Sequence, residues 1–154
     1  MLGAIPNPKK SLVIDFSIEK LKSTIEYVVV LNTKYKLNSK NDVLNTYTFE
    51  ALEFLSLGIF ADISFSRIDE SKTEVTIEIR RKVGAFDQAH EVSNANEHIS
   101  SLFNLLSQCV VLDDVQITEM EKRKQYVQKN SGCMVAVLIT VGSMLGGGLI
   151  YAIA

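Results

Sequence analysis

Three stretches of the chain alternate apolar and polar residues with a period of two, and two others repeat with the period of a helix. Thr73 to Val83 is the cleanest alternation, with Val75, Ile77 and Ile79 set against Thr76, Glu78 and Arg80. That pattern predicts a strand with one buried face and one wet face. Ser56 to Ile68 behaves the same way, with Ile59, Ala61, Ile63 and Phe65 against Phe60, Asp62, Ser64 and Ser66, and Asp42 to Glu50 has strand character around Tyr47 and Phe49. Residues 69–72 read as a turn. Strands joined so briefly must pair antiparallel, because a parallel crossover needs a dozen or more residues.

Upstream, Leu12 to Phe16 is a short β-rich run, and Ser17 stands where an N-cap belongs, before Ile18, Leu21, Ile25, Val28 and Val29 at helical spacing. The β-branched run Val28 to Val30 weakens that helix, which is expected to end near Leu31 and Asn32. After Gly84 the period changes again. Val92, Ala95, Ile99, Leu102, Phe103, Leu106, Cys109 and Val110 mark the apolar face of a helix from Glu91 to Val110, starting at Ser93 or Asn94, the latter in capping-box spacing with Glu97. Thr118 and Glu121 repeat the capping signal and predict a polar helix behind it.

The element order is therefore β-α-β-β-β-α. It predicts an α+β fold: an open four-stranded antiparallel sheet with two helices on one face. Such layouts recur in ferredoxin-like, TATA-binding-protein-like and small lipid-transfer-like folds, an analogy of topology that assigns no function.

From Cys133 to Ala154 the chain carries no charge. About twenty apolar residues rising 1.5 Å each cross a hydrocarbon core of roughly 30 Å, so a transmembrane helix is expected there. The organisation read from sequence is an N-terminal extension (1–10), a soluble α+β domain (11–112), a polar, basic connector helix (113–132) and a membrane span (133–154). Lys122, Arg123, Lys124 and Lys129 precede the span, which by the positive-inside bias leaves the domain in the cytoplasm. Gly142 and Gly146, with Ser143 and Gly147, form a small-residue stripe through which two copies of the span could associate into a homo-oligomer. Cys133, at the membrane edge, reads as a tolerated small residue in preference to an acylation site.

Composition narrows the partners. Sixteen basic and eighteen acidic residues are interspersed among the first 132, without the basic stripe that nucleic acid requires. Cys109 and Cys133 give neither a disulfide framework nor a metal spacing, which fits a reducing compartment. The N-terminus lacks a cationic start and is interrupted by Pro6 and Pro8, unlike a signal peptide.

Both histidines fall in the polar segment 84–98, where Asp87, His90, Glu91, Glu97 and His98 are the candidate base or metal-ligand set. Histidines that share a metal on one helix are spaced i, i+4, whereas these are eight apart, so the segment reads as a solvated helix start with no metal or cofactor. Cys109 lies on the apolar face of its helix and reads as a packed core residue. The wet sheet face, with Phe60, Asp62, Ser64, Ser66, Thr76, Glu78 and Arg80, mixes charges of both signs and suits a protein partner. The function expected from these features is a membrane-tethered, non-enzymatic interaction domain. The alternative is a small lipid or apolar-ligand binding domain with a cavity between sheet and helices lined by Phe49, Ile63, Phe65, Ile77, Leu102 and Phe103.

Overall fold

The computed structural model describes residues 5–51, 58–86, 88–113 and 115–122. In chain order these form β1 (Lys9–Ile14), α1 (Ile18–Thr24), α2 (Tyr27–Leu31), β2 (Tyr35–Asn41), β3 (Thr46–Ala51), β4 (Ile59–Arg67), β5 (Thr73–Arg81) and α3 (Ala89–Cys109). The strands build one open antiparallel sheet in the order β1-β5-β4-β3-β2. The fold is α+β as expected, but the sheet has five strands.

The additional strand is β2, and the reason it escapes the pattern is visible in its side chains. Of Tyr35 to Asn41 only Tyr35 is buried, with Leu37 half-buried. As an edge strand it has one paired neighbour, and its register slips between Leu37 and Ser39, the mark of a bulge. Residues 42–45, expected to open a strand, form the turn between β2 and β3 instead. The Asn41 side-chain oxygen accepts from Val43 N (3.1 Å) and Leu44 N (3.0 Å), and Asn45 takes φ 53°. An Asx turn closed by an asparagine in the left-handed region overrides the strand propensity of Val43 and Leu44.

β1 starts at Lys9, so residues 9 and 10 of the expected extension belong to the sheet, and Ile5 bridges to Phe86. Ser17 caps α1 as expected, accepting from Lys20 N at 3.3 Å. The helix then divides in two. The Thr24 hydroxyl donates back to the Lys20 carbonyl (2.9 Å), and the bonds after it tighten to i, i+3: Val28 N to Ile25 O (3.2 Å) and Val29 N to Glu26 O (3.3 Å). Back-bonding of this kind bends helices, and it acts here just before the β-branched run.

α3 begins at Ala89, so Ser93, Asn94 and Glu97 are interior and form no cap. Its first turn is held from outside, by Arg81 Nη1 on Glu91 at 3.0 Å. Residues 115–122 are helical, and their capping box lies upstream of Thr118: Asp113 Oδ1 accepts from Gln116 N (2.7 Å) while Gln116 Oε1 accepts from Asp113 N (3.2 Å).

One core joins the layers. The inward residues of β3, β4 and β5 are Tyr47, Phe49, Ile63, Phe65, Val75, Ile77 and Ile79, as the alternation predicts, and they pack against Leu21, Ile25 and Val28 below and Ile99, Leu102 and Leu106 of α3. Each such side chain contributes about 1.5–3 kcal/mol on leaving water. Phe49, Ile63, Phe65, Ile77 and Leu102, the expected cavity lining, are all buried within this cluster, and Phe103 packs against it, so these residues fill space rather than enclose it.

Candidate functional site

The strongest polar feature stands where β2 begins. Behind α2 the chain reverses through Asn32, whose side chain accepts from Lys34 N (3.0 Å) while its carbonyl accepts from Tyr35 N (3.2 Å). This turn delivers Tyr35 inward, 1 % exposed, against α3. There it meets His98, which shares the buried stripe of the helix with Ala95, Ile99 and Leu102 and is 4 % exposed. Tyr35 Oη and His98 Nδ1 lie 2.9 Å apart, and the rings meet edge to face at 5.7 Å and 79°. Among the described residues no buried side-chain nitrogen or oxygen lacks a hydrogen-bond partner, so the desolvation cost of this pair is offset internally.

Above the pair opens a half-open pocket of about 360 Å3, lined by Lys34, Tyr35, Asn94, Glu97, His98 and Ser101. Lys34 and Glu97 place opposite charges at its mouth, and Asn94 and Ser101 add neutral donors and acceptors. A wider, shallower depression of about 570 Å3 continues along the outside of α3 past Ser100, Asn104 and Gln108, sharing Glu97 and Ser101 with the pocket.

The structure brings together only part of the cluster read from sequence. Glu97 lies at the mouth and His98 on the floor; His90 is exposed a full two turns earlier, Glu91 is engaged with Arg81, and Asp87 lies outside the described residues. His98 corrects the reading of this segment as a solvated helix start. Its position one residue before Ile99, on the 95–99–102 stripe, was the signal that placed it inside. Lys34, Tyr35 and Ser101 were missed, the first two because β2 carries no alternation to mark where it starts. Among the described residues no three histidine, cysteine, aspartate or glutamate side chains are grouped to hold a metal.

Other expected sites resolve differently. Burial pushes the Cys109 thiol up to about 12, so it is a core group without thiolate character at neutral pH. The outer sheet face pairs its own charges: Arg80 engages Asp62, which also accepts from Thr48 (2.7 Å), Lys82 bonds Glu50 (2.9 Å), and both cations lie 5.3 Å from the Phe60 ring centre. Partial burial alone would raise the Asp62 carboxyl, but Arg80 and Thr48 outweigh it and hold the group below its ordinary range. The expected span and its Gly142, Ser143, Gly146 and Gly147 stripe lie outside the described residues. Within the described residues no helix is long and apolar enough to cross a membrane.

No family model matches the sequence, and no curated protein matches it. Solved structures do. An uncharacterised protein from Bacillus thuringiensis aligns over 70% of this chain and 100% of its own, with TM-score 0.53 and 12% identity. The protein XoxI from Bacillus cereus aligns over 70% and 97% (TM-score 0.49, 16% identity), and a START superfamily protein from Mycobacterium smegmatis over 68% and 96% (TM-score 0.44, 12% identity). With the Bacillus thuringiensis protein the likeness is one of fold: an antiparallel sheet packed on helices.

Proposed function

We infer that the domain binds a small ligand with a polar head, seated between the start of β2 and the first half of α3, and that it does so without chemical turnover. The observation that carries this reading is a hydrogen-bonded Tyr35–His98 pair, almost wholly removed from water, forming the floor of an opening of about 360 Å3. Apolar side chains of similar volume would close the same gap with less desolvation cost. A polar floor under an opening is instead the arrangement that orients a hydrogen-bonding ligand, and the volume lies at the small end of ligand pockets, roughly 300–1,000 Å3.

The opposite charges of Lys34 and Glu97 leave room for a carboxylate beside Lys34, with the ligand's apolar part directed along the α3 depression toward Leu105. Tyr35 and His98 hold one another in this scheme; they orient a bound group and carry no step of a reaction. This keeps the ligand-binding alternative and moves its cavity from the sheet–helix core to the edge of the sheet.

The test is a titration of the full-length chain with octanoate, read from the ring proton signals of Tyr35 and His98. Saturable shifts of both rings are expected, and they should vanish in Ser101→Phe, which places a ring in the mouth. Absence of shifts in the native chain, or equal shifts in Ser101→Phe, would falsify the assignment.

A further inference from the structure

The sheet is open at both edges, and the two edges are unlike. β2 is broken by the bulge between Leu37 and Ser39, a device by which edge strands avoid further pairing. β1 has no such break: Lys9 to Ile14 oppose Glu78 to Thr73 in six consecutive pairs without a shift. The direction of its backbone groups follows from one bond. The Pro8 carbonyl accepts from Ile79 N at 2.9 Å, and bonded positions alternate along an antiparallel ladder, so Lys10, Leu12 and Ile14 bond to β5. Lys9, Ser11 and Val13 turn their N–H and C=O groups to the free edge, where no strand among the described residues takes them up. Neither face covers this edge: Leu12, on the core side opposite Val75, is 40 % exposed, and Val13, on the outer side opposite Glu74, is 56 % exposed.

We propose that β1 pairs with β1 of a second copy of this chain, antiparallel about a two-fold axis at Leu12, so that two five-stranded sheets join edge to edge. The outward groups can bond only in registers that set odd positions opposite odd ones. Among these, side chains select the one centred on Leu12. It sets Lys9 opposite Asp15 of the second copy, and the two-fold axis makes that contact twice. Asp15 stands just beyond the strand, its side chain 85 % exposed and 3.9 Å from Lys72, so it is open to a second cation. Leu12 meets its own copy, and the Lys10 stem lies along Ile14 of the second copy. Centring on Ser11 would set Lys9 against Val13, and centring on Val13 would set Asp15 against Ser11; neither forms an ion pair. Charge balance favours a like partner as well. Along residues 9–15 and 72–78, Lys9, Lys10 and Lys72 match Asp15, Glu74 and Glu78, so two identical edges meet without net repulsion. The contact is six strand residues a side, small enough that the dimer forms in proportion to concentration.

Disulfide formation in the full-length chain carrying Cys133→Ser, kept in dodecyl maltoside under mild oxidation, reads both the contact and its register. Cys109 is buried and takes no part. In Leu12→Cys the two sulfurs share one face of a non-hydrogen-bonded pair with Cα atoms about 4.5 Å apart, within disulfide reach. A crosslinked dimer whose yield rises with protein concentration is expected. Lys10→Cys lies four residue rises, roughly 13 Å, from its own copy and should give none. Val43→Cys, 90 % exposed on the β2–β3 turn, reports random collision and should also give none. Adding Val13→Pro to Leu12→Cys removes an outward N–H while leaving every bond to β5, and should lower the yield at least about tenfold. Should that variant also lower the denaturant midpoint, Asp15→Lys, which sets lysine against lysine at both ends of the contact, should lower the yield at least about threefold. The proposal is overturned if Leu12→Cys stays monomeric, if Lys10→Cys or Val43→Cys crosslinks as readily, or if neither Val13→Pro nor Asp15→Lys lowers the yield.

Discussion

At one end of the sheet two polar rings are buried, and at the other four apolar side chains, Val43, Leu44, Ile68 and Phe16, are exposed. Both arrangements run against the usual partition of residues, yet they differ in how the molecule accommodates them. The Tyr35–His98 pair is joined by a 2.9 Å hydrogen bond, and no buried side-chain nitrogen or oxygen among the described residues lacks a partner, so its burial costs little as long as both rings remain. Val43 and Leu44 are 90 % and 67 % exposed; their exposure weakens nothing in the fold, because a turn tip exposes apolar surface in the unfolded chain as well. The contrast teaches where to look for function: an internally balanced oddity is felt in stability when broken, whereas an unbalanced one is felt only in the presence of something outside the molecule.

The largest expected effect falls on the core both ends share. Leu102→Ala should lower unfolding free energy by about 2–5 kcal/mol in urea titration, because the side chain is fully buried between α3 and the sheet. If the loss were below about 1 kcal/mol, α3 would not be the common support and the two ends could not be compared on one frame. Next comes the polar end itself. Tyr35→Phe removes a hydroxyl and with it the 2.9 Å hydrogen bond to the buried His98 ring, at a cost of about 1–3 kcal/mol; His98→Leu in the same background should recover part of it, and a neutral Tyr35→Phe would remove the distinction between the two ends.

A smaller effect is expected between the ends, on the outer face. Asp62 is held below its ordinary range by Arg80 and Thr48. Its contribution is therefore complete above the carboxyl's unfolded value and is lost as pH falls through the depressed folded value. Asp62→Asn should cost about 1 kcal/mol at pH 7, discounted for its partial exposure, and should flatten the acid side of the stability profile measured by denaturant midpoints. The smallest effect belongs to the apolar end, where Val43→Ser with Leu44→Ser should shift stability by no more than about 0.5 kcal/mol. A loss comparable to that of Tyr35→Phe would mean that these tips are held by the fold after all.

Legibility in the sequence followed how strongly burial constrains each element. β4 and β5 have one face in the core and one in water, and their alternation names the buried apolar residues from Ile59 to Ile79 and misses only the polar Thr73. α3 is read almost to its ends, since its apolar stripe must span the sheet. β2 is an edge, half-polar and bulged, and nothing in Lys36, Asn38 or Lys40 demands a strand; its pairing comes from β3. Because β2 was invisible, so was the site at its first residue. Of that site, the candidate base or metal-ligand set read from sequence contains His98 and Glu97, and the geometry that makes them interesting depends on a contact with Tyr35 from a position 63 residues away. No local pattern encodes such a contact.

The sheet order has one consequence for how the chain reaches this arrangement. β2, β3, β4 and β5 follow one another across the sheet, so each can zip onto its predecessor across a few intervening residues. β1 joins the far side, with Ser11 and Thr76 meeting at 2.7 Å across 65 positions. Closing that long loop is entropically slow and is rewarded only once β5 is in place. β1, which precedes the other four strands of this sheet in the chain, is thus expected to be the last to dock.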